Sequence, residues 1–130
     1  MIRFIKRLCT WKFLPISWTL LTIILLCLPG STIPNQGLFS IKGIDKVVHI
    51  ALFGGIVLFW AFNLYFRRFE ELKWRKTIVL LTFFSIALGI VLEFLQLYYI
   101  PNRSFDGNDI IADSAGALAA GIFHLLKKVK

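Results

Sequence analysis

Four apolar runs order this chain, and strongly polar side chains enter them mostly from one side. The runs cover about residues 13–28, 47–66, 77–100 and 110–126. Asp45 and His49 open the second, Glu93 and Gln96 lie near the end of the third, and Asp109 and Asp113 open the fourth. The runs are long, continuous and without period-two alternation, which predicts helices and excludes strands. At about 1.5 Å per residue the second and third span a hydrocarbon core of about 30 Å, while the first and fourth fall at the low end. Neighbouring helices joined by short loops then run antiparallel. That threading brings the three polar pairs to one depth at one face of a bilayer. The predicted fold is an all-α, four-helix transmembrane bundle, a single domain over residues 1–130.

The breaks between the runs fit this reading. Pro29, Gly30, Pro34 and Gly37 mark a loop after the first run, and Pro101 helps to end the third. The second, third and fourth helices are expected to pack together, because they carry the polar pairs and the small residues. The first is expected at the periphery, with no strong polar residue beyond Ser17 and Thr19. The basic stretch ahead of it (Arg3, Lys6, Arg7, Lys12) also fits a signal peptide, but Leu28 and Pro29 spoil the small-residue cleavage pattern near Gly30. A retained helix is therefore expected.

Composition agrees with a lipid environment: 58% of the 130 residues are hydrophobic, mean hydropathy is +0.76, and 13 Phe and 4 Trp suit lipid contact and interfacial anchoring. The net charge of +8 raises a nucleic-acid reading. No basic stripe with interleaved aromatics supports it, so nucleic acid is excluded as a partner. The basic residues instead cluster at the ends of the runs. Arg67, Arg68, Lys73, Arg75, Lys76, Lys127, Lys128 and Lys130 join the four N-terminal ones on one side. Only Lys42, Lys46 and Arg103 fall on the other. This bias places both termini in the cytoplasm and the three polar pairs at the outer face. Cys9 and Cys27 lie about 27 Å apart if the chain between them is helical, which excludes a disulfide within one chain, and two cysteines make no metal framework.

Each polar group has a plain structural reading beside a functional one. Asp45 serves as a helix N-cap and Lys46 snorkels to headgroups; His49, four residues after Asp45 on the same face, has no such account. Glu93 lies about 10 Å below Ile100 along its helix. A carboxylate there costs about 2–3 kcal/mol unless it is paired or protonated. It shares a face with Gln96 and with Gly89, which lets a neighbouring backbone approach, so a polar clasp is the structural alternative. Ser104, Asp106, Asp109 and Asp113 follow in the last outer loop and helix. Asp106, Asn108 or Asp109 can cap that helix, and Ala112, Gly116 and Ala120 make a row suited to close helix contact. Arg103 is the one base of that loop and the expected counter-charge for Glu93 or an aspartate. An EF-hand over Asp106–Asp109 fails on spacing. Asn102-Arg103-Ser104 matches a glycosylation acceptor on three residues only. For Asn63 and His124, near the other ends of their helices, interfacial or inter-helix hydrogen bonding is sufficient.

Asp45-Lys46-x-x-His49, Glu93-x-x-Gln96 and Arg103-Ser104-Phe105-Asp106 followed by Asp109, Asp113 and Gly116 fall in order on successive helices. In these motifs the chain resembles the VanZ-like family of small bacterial membrane proteins, over about residues 45–121. The resemblance implies a multi-pass protein of the bacterial cytoplasmic membrane with a cell-envelope role. The family's namesake is linked to low-level resistance to the glycopeptide teicoplanin. Asp113 departs from the family pattern, where Asn is expected. The family supplies no catalytic residues to carry over.

Three readings follow. In the first, the outer-face cluster binds the polar head of an envelope lipid or wall precursor, without catalysis or cofactor. Arg103 and Lys46 contact an anion while Glu93, Gln96, Asp109 and His49 orient them or bond hydroxyls. A glycopeptide is a further partner under this reading. In the second, His49 is a general base of a membrane hydrolase or transferase, with Ser104 the nearby hydroxyl, or joins Glu93 and an aspartate at a divalent metal. One histidine at this depth and the lack of HExxH or a nucleophile motif weigh against it, and no metal ligand is assigned. In the third, the cluster is an inter-helix polar lock.

Overall fold

A computed structural model describes residues 1–34, 36–66 and 70–127, with residues 8–10 and 71 described by backbone alone. Arg67, Arg68, Lys128 and Lys130, counted above for orientation, and the Cys9 side chain therefore lie outside the described residues. Five α-helices follow in chain order: α1 (Ile2–Thr10), α2 (Phe13–Leu26), α3 (Ile44–Phe66), α4 (Glu71–Tyr99) and α5 (Gly107–Leu126). Two 3₁₀ turns, Gly30–Thr32 and Gly37–Ser40, shape the loop between α2 and α3. There is no strand among the described residues.

Ile44–Phe66, Leu72–Tyr99 and Gly107–Leu126 are long and apolar enough to cross a membrane; the apolar α2, at 14 residues, is shorter. The four apolar helices form the bundle of a membrane protein. Large apolar side chains such as Phe83, Phe84, Phe94, Ile111 and Leu118 face outward, as lipid contact requires. The helices begin earlier than the apolar runs because their first turns are polar: Ile44–Lys46 in α3, Glu71–Lys76 in α4 and Gly107–Asp109 in α5. The short basic helix α1 stands where only a charged flank is expected, and a bend at Trp11–Lys12 separates it from α2.

The tightest seam is α3 on α5. A Cβ on Gly54 would meet the Gly116 carbonyl oxygen at 3.1 Å, and one on Gly116 would lie 2.9 Å from the Ile50 Cα. Two backbones thus touch where neither residue has a side chain, and Val57, Ala117 and Ala120 continue the contact. α2 lies at the side of the bundle, mainly against α3, as expected of a peripheral helix. Three polar bonds tie it in. Trp18 Nε1 donates to the Leu52 carbonyl at 3.0 Å, with its ring against Gly55; Trp60 Nε1 donates to Thr19 Oγ1 at 3.1 Å; and Gln96 Nε2 donates to the Leu26 carbonyl at 2.8 Å. Two ends can now be distinguished: a polar end, where α3 and α5 begin and α4 finishes, and an aromatic end, where α3 and α5 finish and α4 begins.

Candidate functional site

At the polar end the starts of α3 and α5 lie side by side, and six side chains from these two helices and the α5 cap form a ladder. Lys46 is its centre. Its Nζ donates to Asp45 Oδ2 at 2.7 Å, to Asp106 Oδ2 at 2.6 Å and to Asp109 Oδ1. The i, i+4 spacing of Asp109 and Asp113 turns both toward α3, and that of Asp45 and His49 sets His49 one turn deeper. His49 Nδ1 donates to Asp113 Oδ1 at 2.7 Å, and its Nε2 lies 3.7 Å from Asp109 Oδ2. Asp113 is 1% exposed and His49 5%. A buried carboxylate needs such a partner to be tolerated in the apolar layer.

α4 contributes Glu93, also 1% exposed. Its Oε1 accepts the Asp106 backbone N–H at 2.6 Å, fastening the α4–α5 loop to α4 just before α5 begins. Asp106 is the N-cap of α5, its side chain accepting from the Asn108 backbone N–H at 2.9 Å. The Lys46 ammonium beside it holds the Asp106 carboxyl below the usual carboxylate range. Gly89 makes room for a side chain: a Cβ there would stand 2.7 Å from Asp113 Oδ2. The expectation that Gly89 admits a neighbouring backbone is corrected accordingly.

Two sequence expectations about the bases are overturned. Lys46 does not reach away to headgroups, because three carboxylates converge on it and satisfy its three N–H donors. Asp45, Asp106 and Asp109 have the spacing of a possible cation site. They close on the Lys46 ammonium, which supplies the positive charge from within the chain. Arg103 is not the counter-charge of Glu93 or of an aspartate, since it forms no ion pair among the described residues. Its Nε donates instead to the Leu28 carbonyl at 3.2 Å. The α4–α5 loop crosses the end of α2 at this point. Gly30 N–H donates to the Pro101 carbonyl at 3.1 Å, a side chain on Gly30 would strike the Asn102 carbonyl, and Asn102 takes a left-handed φ of 58°.

Gln96 is part of the helix packing, through its bond to α2, and does not contact Glu93 through a hydrogen bond. Ser104 is exposed. The structure therefore joins Asp45, Lys46, His49, Asp106, Asp109 and Asp113 into one ladder, attaches Glu93 to it through the loop backbone, and sets Gln96, Arg103 and Ser104 apart.

A cavity of about 320 Å³ adjoins this ladder between α2, the 3₁₀ loop and α3. Asp45, His49, Arg103 and Thr32 are its polar lining; the rest is apolar, from the end of α2, the loop, and Val48 and Leu52 of α3. Sequence reading did not reach the loop wall. The available signal was the pair of apolar residues Ile33 and Phe39 within a stretch otherwise marked as a turn region. His49 is thus held by Asp113 on one side and reaches a cavity on the other, while Glu93 and Asp109 do not line it.

Among comparisons with known proteins, a family model described as VanZ/LLP1 matches residues 4–128. No curated protein and no solved structure matches the chain.

Proposed function

The chain belongs to the VanZ-like family of membrane proteins, and from that premise we propose that it is a non-enzymatic protein of the bacterial cell envelope that binds the polar head of an envelope lipid or wall precursor. The polar end faces outward in the cytoplasmic membrane and both termini lie inside, by the distribution of basic residues around the apolar helices. Arg103 carries the proposal. It is a guanidinium in no ion pair among the described residues, at the lining of a cavity that it shares with His49. A planar cation left in that state suits a phosphate or carboxylate. Lys46 takes no part in ligand contact, because Asp45, Asp106 and Asp109 already surround its ammonium. Low-level glycopeptide resistance, linked to the family's namesake, belongs to the same proposal, with teicoplanin susceptibility of cells expressing the wild-type and Arg103→Ala proteins as its readout.

Native mass spectrometry of the purified protein with envelope lipids tests the binding. Anionic-lipid adducts are expected to fall with Arg103→Ala and to persist with Glu93→Gln, whose target is the loop backbone. Adducts unchanged in both variants would overturn the proposal. A second reading, a polar lock between helices, draws on the Lys46 contacts that join α3 to α5 and on the Glu93 bond to Asp106. Under that reading alone, Glu93→Gln lowers thermal stability and no variant changes lipid binding.

A further inference from the structure

We propose that the cavity beside His49 receives the apolar tail of an anionic, hydroxyl-bearing amphiphile whose head lies between Arg103 and Asp45. The proposal rests on the head-group reading above and names the class of ligand.

The lining changes character in one direction. Along α3 the cavity is bounded by Asp45, then Val48 and His49, then Leu52. These residues lie on one helix face and span about 10 Å. Charge stands at the start of the helix, an imidazole one turn in and a branched alkyl group a turn further. Across the space, Arg103 and Thr32 lie towards the loops, whereas Leu26 belongs with Leu52 to the apolar core. Leu26 and Leu52 are each 5% exposed, while the Asp45 side chain at the start of α3 is 58% exposed. The cavity therefore grades from an accessible polar margin to a closed apolar floor.

That gradient selects among ligands. A volume of about 320 Å³ sits at the lower end of the about 300–1,000 Å³ typical of small-ligand pockets. Against the apolar floor water gains little, since such a surface lacks the two to four polar partners that a buried water needs. A free phosphate or sugar would use only the margin. An uncharged hydrocarbon would leave Arg103 unanswered. A molecule with both parts uses the whole lining.

The polar margin further restricts the head. Arg103, unlike Lys46, meets no carboxylate among the described residues and lines the cavity, so the anionic group belongs beside it. Asp45 lines the other part of the margin, 58% exposed at its side chain and held by Lys46 on one oxygen. It offers acceptor sites and repels a second negative charge, so hydroxyl donors suit it. A phosphate ester of a polyol attached to acyl chains meets both demands.

Calorimetric titration of the full chain in amphipol tests this with water-soluble probes. These are dihexanoyl phosphatidylglycerol, glycerophosphoglycerol (the same head without chains) and dihexanoyl phosphatidylcholine. The chain-bearing glycerol lipid is expected to bind at least tenfold more tightly than either of the others: than its bare head because each buried methylene contributes about 0.8 kcal/mol, and than the choline lipid because that head has no net charge and no hydroxyl for Asp45. Ile33→Trp, which fills the cavity from the loop, is expected to weaken dihexanoyl phosphatidylglycerol at least tenfold and to leave glycerophosphoglycerol unchanged. Arg103→Ala is expected to weaken both. Equal affinities for the glycerol lipid and its bare head, with loss in Arg103→Ala, overturn the tail site and leave the head-group reading intact. Equal affinities for the two lipids overturn the anionic specificity. Binding indifferent to Arg103→Ala overturns both this inference and the reading on which it rests. The three-probe series on wild-type protein needs no variant to fold, and thermal melts report whether Ile33→Trp has done so.

Discussion

The two buried histidines, His49 on α3 and His124 on α5, occupy opposite ends of the bundle and have opposite surroundings. His49 donates to Asp113 and lies near Asp109. His124 is 0% exposed, and neither of its ring nitrogens has a hydrogen-bond partner among the described residues. The Leu58 carbonyl approaches it without reaching hydrogen-bond geometry. Aromatic rings enclose it instead: Phe62, Phe123 and Trp74 stand edge-on with centroids 4.8, 5.2 and 5.8 Å away. The Trp74 indole N–H also has no partner among the described residues, and Lys127 Nζ lies 4.6 Å over Phe62 and 4.7 Å over Phe123. One end therefore depends on matched polar groups, whose loss is costly. The other depends on ring packing, in which the imidazole acts mainly by its shape.

The largest test of this contrast is His49→Leu. It leaves Asp113 buried without its partner and is expected to destabilise the fold by about 3 kcal/mol, in line with breaking a buried pair. Reversible unfolding in mixed detergent measures it. Lys46→Met comes next: three carboxylates lose their common cation, but the lysine side chain is 27% exposed, so about 2 kcal/mol is expected by the same assay. A smaller effect should appear in acid. Asp106 is held below the ordinary aspartate range by Lys46, so the ionised carboxyl favours the folded state. This contribution is complete above the usual aspartate pKa and disappears as pH falls through the lowered value. Asp106→Asn retains a capping oxygen and is expected to flatten the acid limb of the stability profile; an unchanged limb would remove Asp106 from that role. Least of all, His124→Phe should change stability by under about 1 kcal/mol in either direction, because no hydrogen bond is lost and the ring packing survives. A loss as large as that of His49→Leu would break the comparison.

The apolar runs made the bundle legible, since length and continuity alone distinguish such helices from strands. Helix starts were less legible, because Asp45, Lys46, Glu71 and Asp109 are polar and fall outside a hydropathy window. α1 escaped for the same reason: its basic residues read as a flank, and only the alternation of Ile2, Phe4 and Ile5 with Arg3, Lys6 and Arg7 hints at a helix. Within the site, i, i+4 spacing aligned Asp45 with His49 and Asp109 with Asp113. Which cation meets which anion was not legible, because that depends on reach across helices. Lys46 reaches α5, whereas the α2 end draws Arg103 aside to a carbonyl. His124 resembled an interfacial polar residue, since nothing in its sequence neighbourhood announces that Trp74 of α4 folds against it.

The bond between His49 and Asp113 joins residues 64 positions apart. During synthesis the ribosome must deliver α4 and the first two turns of α5 before the imidazole can find its carboxylate, so the polar end is finished late. Until then Lys46 and His49 enter the bilayer without three of their aspartates, Asp106, Asp109 and Asp113, and a nascent chain stalled before Asp106 would expose those groups to membrane quality control.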